Sequence, residues 1–114
     1  MNGDFEKSLG LKIRIARQRA GLTQEELAAR VGRTSESISN IERGQQEPSI
    51  KTIQSLAREL GVAAAEFFED DEGGSARSGQ RIELEFRLRD LARGLTDRDL
   101  AVAVAQVNVL LTTK

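Results

Sequence analysis

Apolar residues recur at three- and four-residue steps along much of this chain. Phe5, Leu9, Ile13, Ala16 and Ala20 form one such stripe and predict an amphipathic helix that ends at Gly21. Lys12, Arg14, Arg17 and Arg19 decorate it, and Leu22 is expected to tuck under the junction that follows. Thr23 is a good N-cap, with Glu26 three residues later, as a capping box requires. Leu27, Ala28 and Val31 share one face of the second helix, and Ala28 is small enough for another helix to cross close by. Gly32 follows where the chain must turn, because glycine tolerates a positive φ. Thr34 caps a third helix whose Ile38 and Ile41 point back onto Leu27 and Ala28. Ser35, Glu36, Ser39, Asn40 and Arg43 are left on its outer face. A polar loop, Gln45-Gln46-Glu47-Pro48, leads to Ser49, the cap of a fourth helix. Ile50, Ile53, Leu56, Ala57 and Leu60 make its stripe and Gly61 terminates it. Val62 to Phe68 predicts a short fifth helix that plugs the core with Phe67 or Phe68.

Residues 69–80 lose this periodicity. They are acidic first and then rich in glycine and serine, which predicts a flexible linker. From Arg81 to Leu95 two patterns overlap. Ile82, Leu84, Phe86 and Leu88 alternate with charged residues, as in a half-buried strand, whereas Leu84, Leu88, Leu91 and Leu95 make a helical stripe. The residue types, mostly Leu, Glu and Arg, favour helix. Thr96 then caps a last helix, with Leu100, Ala103, Val104, Val107, Leu110 and Leu111 on its apolar face.

A small residue at Ala28, a glycine four positions on and a β-branched Ile38 six beyond that is the packing pattern of two helices joined by a tight turn. With Gln24 opening the first of them and Ile41-Glu42-Arg43-Gly44 closing the second, the stretch resembles the DNA-binding core of the lambda-repressor-like family, also called the Cro/C1 or Xre type. The resemblance runs from about Leu9 to Phe68. It implies an all-α, five-helix DNA-binding domain over 5–68, followed here by the linker and a C-terminal helical appendage over 81–114. Relatives commonly carry a hydroxyl cap where this chain has Ala63.

The resemblance also implies roles, position by position. Ser35, Glu36 and Asn40 match base-reading positions of a helix laid in the major groove; Asn40 could pair with adenine and Glu36 could accept from cytosine. Gln24 matches a residue that contacts phosphate and braces the recognition helix. Thr34, Ser39, Arg43, Gln45 and Gln46 are assigned to the DNA backbone. Arg33, in the turn, stands where relatives often have a small apolar residue, so a phosphate contact and a solvated side chain are both open. Arg17 and Glu42 match a partly buried ion pair that braces two helices. Glu36 departs from a generic binder, since a carboxylate repels phosphate. The implied function is a sequence-specific transcriptional regulator, of the repressor kind, binding double-stranded DNA as a homodimer; a cytoplasmic location is expected because the first ten residues lack the basic start and apolar stretch of a signal peptide.

Charge complicates this picture. The 114 residues have a net charge of −1 and a pI near 5.6, whereas a nucleic-acid binder is usually basic. The distribution is uneven: Asp4 adds −1, Phe5 to Phe68 nets +2, Glu69 to Glu72 carries −4, and the tail from Gly73 nets +2. A modest positive face is compatible with that. The acidic balance supports an alternative, a protein-interaction module or antitoxin-like partner built on the same fold. Without cysteine or histidine there is no disulfide and little basis for a transition-metal site. No phosphate loop or cofactor motif is evident, and neither an enzyme nor a cofactor is expected. No apolar run is long enough to span a bilayer.

The tail carries more apolar side chain than a solvated appendage needs. Leu84, Leu88, Leu91 and Leu95, then Leu100, Val104, Val107 and Leu111, exceed what a small hairpin can bury on itself. A homodimer formed through 81–114 is therefore expected.

Overall fold

The computed structural model describes residues 3–69 and 78–113. These form seven helices: α1 (Asp4–Arg19), α2 (Gln24–Val31), α3 (Ser35–Glu42), α4 (Ile50–Leu60), α5 (Ala64–Phe67), α6 (Gly79–Arg93) and α7 (Asp97–Thr112). The all-α expectation holds, and 82–88 is helix, with no strand among the described residues. The expected linker lies mostly outside the described residues; at its far end Gly79 and Gln80 already belong to α6. The chain divides into two compact units, Met1–Glu83 and Leu84–Lys114.

Local chemistry sets the helix starts in the first unit. Thr23 Oγ1 accepts from the Glu26 N–H at 3.0 Å while the Thr23 N–H donates to Glu26 Oε1 at 2.8 Å. Thr34 and Ser49 accept from the N–H of Ser37 and Thr52, each at 3.1 Å. Each such cap satisfies a backbone donor that the helix itself leaves open, worth about 1 kcal/mol. Gly32 closes α2 at φ +71°, a conformation that a side chain resists. Ala63 has no hydroxyl, so α5 starts on half a capping box: the Ala63 N–H donates to Glu66 Oε2 at 3.1 Å.

The core is built from one stripe of each helix. Leu9, Ile13 and Ala16 of α1, Leu27 and Ala28 of α2, Ile38 and Ile41 of α3, and Ile53, Leu56, Ala57 and Leu60 of α4 are all buried. Phe67 is the plug, fully buried; Phe68 stays exposed and stacks on Phe5 with ring centroids 6.3 Å apart. Each large side chain so buried contributes about 1.5–3 kcal/mol. At Gly10 the helices approach so closely that a Cβ would lie 2.4 Å from the Ile41 carbonyl oxygen.

Three positions depart from the sequence pattern. Ile50, expected on the α4 stripe, is 66% exposed at the first helical position. Ala20 is the exposed C-cap of α1 rather than part of its stripe. Lys12, expected as surface decoration, is only 1% exposed, and its Nζ donates to the Glu69 carbonyl. Lys12 lies on the stripe itself, between Leu9 and Ala16, which is why packing encloses it. A buried ammonium needs acceptors, and the end of the α5 segment supplies one.

The first turn of α6 belongs to this first unit. Ser78 Oγ accepts from the Arg81 N–H at 3.1 Å. A Cβ on Gly79 would sit 3.6 Å from Ile15 Cδ1, Ile82 is buried, and Arg19 Nε lies 3.2 Å from the Glu83 carboxylate. This turn covers Ile15, which points away from the main α1 stripe.

In the second unit, the rest of α6 and α7 form a helical hairpin. The Asp99 N–H donates to Thr96 Oγ1 at 3.1 Å, so the expected cap of α7 is in place. Phe86 is buried, but no residue of α7 is. Leu88, Leu91, Leu95, Leu100, Val104, Val107 and Leu111 line an open apolar cleft of about 620 Å³ between the two helices. Leu84, also expected on this stripe, is exposed and lies outside the cleft lining. No helix of the described residues is long and apolar enough to cross a membrane.

Candidate nucleic-acid interface

The outer face of α3 is held from behind. Glu42, at the helix's last turn, receives three hydrogen bonds. Arg17 Nε donates to its Oε2 at 2.6 Å, Arg17 Nη2 to its Oε1 at 3.1 Å, and Gln24 Nε2 to the same Oε1 at 3.0 Å. Arg17 Nη1 also donates to the Leu22 carbonyl at 2.8 Å. The two charged side chains are 11% and 2% exposed. A two-pronged guanidinium–carboxylate pair in such a site is strong and directional. It ties α1, the start of α2 and the end of α3 into one block.

The turn is braced as well. Arg33 donates to Ser37 Oγ at 3.3 Å and to Thr52 Oγ1 at 2.9 Å, so its guanidinium bridges α3 and α4. The sequence had left phosphate contact and solvation open for Arg33; the structure gives it this strut. Gln46 Nε2 approaches Ser37 Oγ at 3.5 Å, and the Thr34 hydroxyl is used as the cap of α3.

Facing outward are Ser35 and Glu36, both exposed, with Ser39 and Asn40 half-buried one turn on and Arg43 exposed beyond them. Arg43 Nη2 donates to Asn40 Oδ1 at 2.5 Å. Gln45 is exposed in the following loop. A short helix therefore presents small polar side chains on one side, while Ile38, Ile41 and Glu42 lock the other.

Comparison with known proteins places this arrangement. A helix-turn-helix family model matches residues 13–67. An uncharacterised HTH-type transcriptional regulator of Sinorhizobium fredii is 40% identical over 63 residues, which is 55% of this chain and 82% of that protein. The chain belongs to the Cro/C1-type helix-turn-helix regulators. Among solved structures, the restriction-modification controller protein C.AhdI of Aeromonas hydrophila is similar at 34% identity and a TM-score of 0.52, over 54% of this chain and 94% of that one. The clp gene regulator ClgR of Corynebacterium glutamicum is similar at 27% identity and a TM-score of 0.55, over 78% of this chain and 87% of that one.

Within this helix-turn-helix unit, α2 and α3 are the two motif helices, and Gly32 to Thr34 form the turn between them. Two features of the site were not read from the sequence. The Arg33 strut depends on Thr52, which is 19 residues away. The Asn40–Arg43 contact has an ordinary helical spacing of three, but nothing in the residue types alone says which of them faces the other.

Proposed function

We propose that this regulator binds DNA sequence-specifically as a homodimer, with α3 lying in the major groove of each half-site. The observation that carries the reading is the one-sided construction of α3: Ser35, Glu36 and Asn40 face outward on a helix whose inner face is fixed by Ile38, Ile41 and the Arg17–Glu42–Gln24 cluster. A rigid helix with short polar side chains suits base-edge readout. Glu36 fits a cytosine amine and disfavours nearby phosphate, so it favours selectivity over general affinity. Gln24, Arg33, Thr34, Ser39, Arg43, Gln45 and Gln46 surround this face and are assigned to the DNA backbone, with Gln24, Arg33 and Thr34 also serving as braces.

The homodimer is proposed on the composition of the hairpin. Ten of the twelve residues from Leu100 to Leu111 are apolar. Val102, Val109 and Leu110 are exposed outside the cleft lining, and Val104 and Leu111 are exposed within it. A helix apolar on all sides requires cover on all sides. A second copy supplies that cover and gives a symmetric reader of two half-sites about 34–36 Å apart. Repression needs no more than occupancy of such an operator.

Selection of bound duplexes from a random DNA pool tests the reading. Enrichment of an inverted repeat is the expected result. Absence of enrichment at low salt would favour the alternative, a protein-binding module, which the net charge of −1 supports.

A further inference from the structure

We propose that Asn40 and Arg43 work as a single unit that presents donors only, and that this unit selects guanine rather than adenine at the base pair beneath it. The inference rests on the DNA-binding reading above.

A free asparagine on a recognition helix suits adenine. Its carbonyl oxygen accepts from the adenine amine while its NH₂ donates to N7. Here Asn40 Oδ1 is 2.5 Å from Arg43 Nη2. A guanidinium has donors and no acceptor, so the carboxamide oxygen must be the atom facing it. The charge on Arg43 makes this a strong hydrogen bond. Asn40 is half-buried and the helix beneath it is fixed by the Arg17–Glu42 pair, while Arg43 reaches back to the carboxamide oxygen from the exposed side.

The polarity of the surface changes accordingly. At the oxygen end, where adenine would place its amine, there is now a cation whose remaining N–H groups are donors. An amine approaching there meets like polarity. Guanine places an acceptor, O6, at the corresponding position of its major-groove edge, and N7 beside it. The Asn40 NH₂ can then donate to N7 and the guanidinium to O6, which satisfies both partners. Arg43 is left with further donors for a neighbouring phosphate, so its expected place at the backbone is retained. In this scheme Arg43 positions Asn40 and also supplies half of the recognition.

The test uses the full-length protein and duplexes selected from a random pool. Asn40→Ala first identifies the base pair under the side chain, as the one position where preference collapses. Affinities are then measured for all four base pairs at that position, for wild type, Asn40→Ala and Arg43→Met. Wild type is expected to prefer guanine by roughly tenfold, and to lose that preference when 2-aminopurine, which keeps N7 but lacks O6, replaces guanine. Arg43→Met frees the carboxamide oxygen and is expected to shift the preference toward adenine at this pair alone. Both side chains lie on the surface of α3, and thermal melts matching wild type would establish that the variants are folded. Adenine preferred by wild type at the Asn40-dependent position would overturn the inference while leaving DNA binding intact. So would an Arg43→Met variant weakened equally on all four base pairs. A pool that yields no enriched sequence overturns the DNA-binding reading, and this inference with it.

Discussion

At the scale of single residues, the Arg17–Glu42 pair does more than add one attractive contact. Glu42 is almost fully enclosed and its carboxylate depends on Arg17 and Gln24 for compensation. Replacing one partner strands the other charge, so Arg17→Met is expected to lower stability by roughly 3–5 kcal/mol. Urea melts that coincide with wild type would exclude this. The capping box of α2 makes a different prediction. The Thr23 backbone N–H, helped by the Thr23 side chain, lowers the pKa of Glu26 below its ordinary carboxylate value. A carboxylate whose pKa is lower folded than unfolded adds stability above its unfolded pKa, and loses it as pH falls through the folded one. Glu26→Gln should therefore flatten the acid side of a plot of melting temperature against pH, while leaving its shape near neutrality unchanged. An acid limb identical to wild type would mean that the charge of the Glu26 carboxylate adds nothing there.

At the scale of elements, two helix contacts of the first unit can be tested separately. Alanine is the better helix former, so Gly10→Ala in an isolated α1 would gain up to about 1 kcal/mol. In the folded protein the new methyl would meet the carbonyls of Ile41 and Glu42 at 2.4 and 2.5 Å. Backbone cannot give way as a side-chain tip can, and overpacking of this kind costs about 1–3 kcal/mol or more. A net loss is expected in thermal melts, and a stabilised Gly10→Ala would show that α1 and α3 do not cross so tightly. The second contact is the first turn of α6 on α1. Ile82 is buried there, so Ile82→Ala should cost about 2–5 kcal/mol. Arg19→Ala should cost no more than about 1 kcal/mol, because the Arg19–Glu83 pair is 20% and 42% exposed. Equal losses in the two variants would mean that charge, not burial, holds the turn.

For the whole molecule, the question is what covers the hairpin. Leu91 and Val104 face the same apolar cleft from opposite helices and are 61% and 62% exposed. If a second copy fills that space, Leu91→Glu should convert a dimer into a monomer in sedimentation and weaken binding to an inverted repeat far more than to a half-site. The first unit should melt as in wild type, since its core lies elsewhere. Truncation before α6 is the poorer test, because it also removes Ile82 from α1. Wild-type protein that sediments as a monomer at high concentration would rule the homodimer out.

Much of this fold is legible in the chain because its causes are local. Thr23, Thr34, Ser49 and Thr96 cap helices through bonds that reach only three residues, and Gly32 turns the chain through its own backbone freedom. The stripes of α1 to α4 likewise follow from helical spacing, as does the outward placement of Ser35, Glu36 and Asn40. What lies across from a residue is another matter. Lys12 sits on an apolar stripe and is buried, while Ile50 sits on one and is exposed. Arg33 becomes a strut because Thr52 comes within reach, and 82–88 is helical, as its residue types favour, although its alternation also suits a strand. In α6 the residues that are buried are Ile82 and Phe86, while the leucines of the more obvious stripe stay exposed. Local hydrogen bonding and backbone freedom depend on neighbours in sequence. Burial and long-range pairing depend on which surfaces meet, and that is settled only when the helices pack.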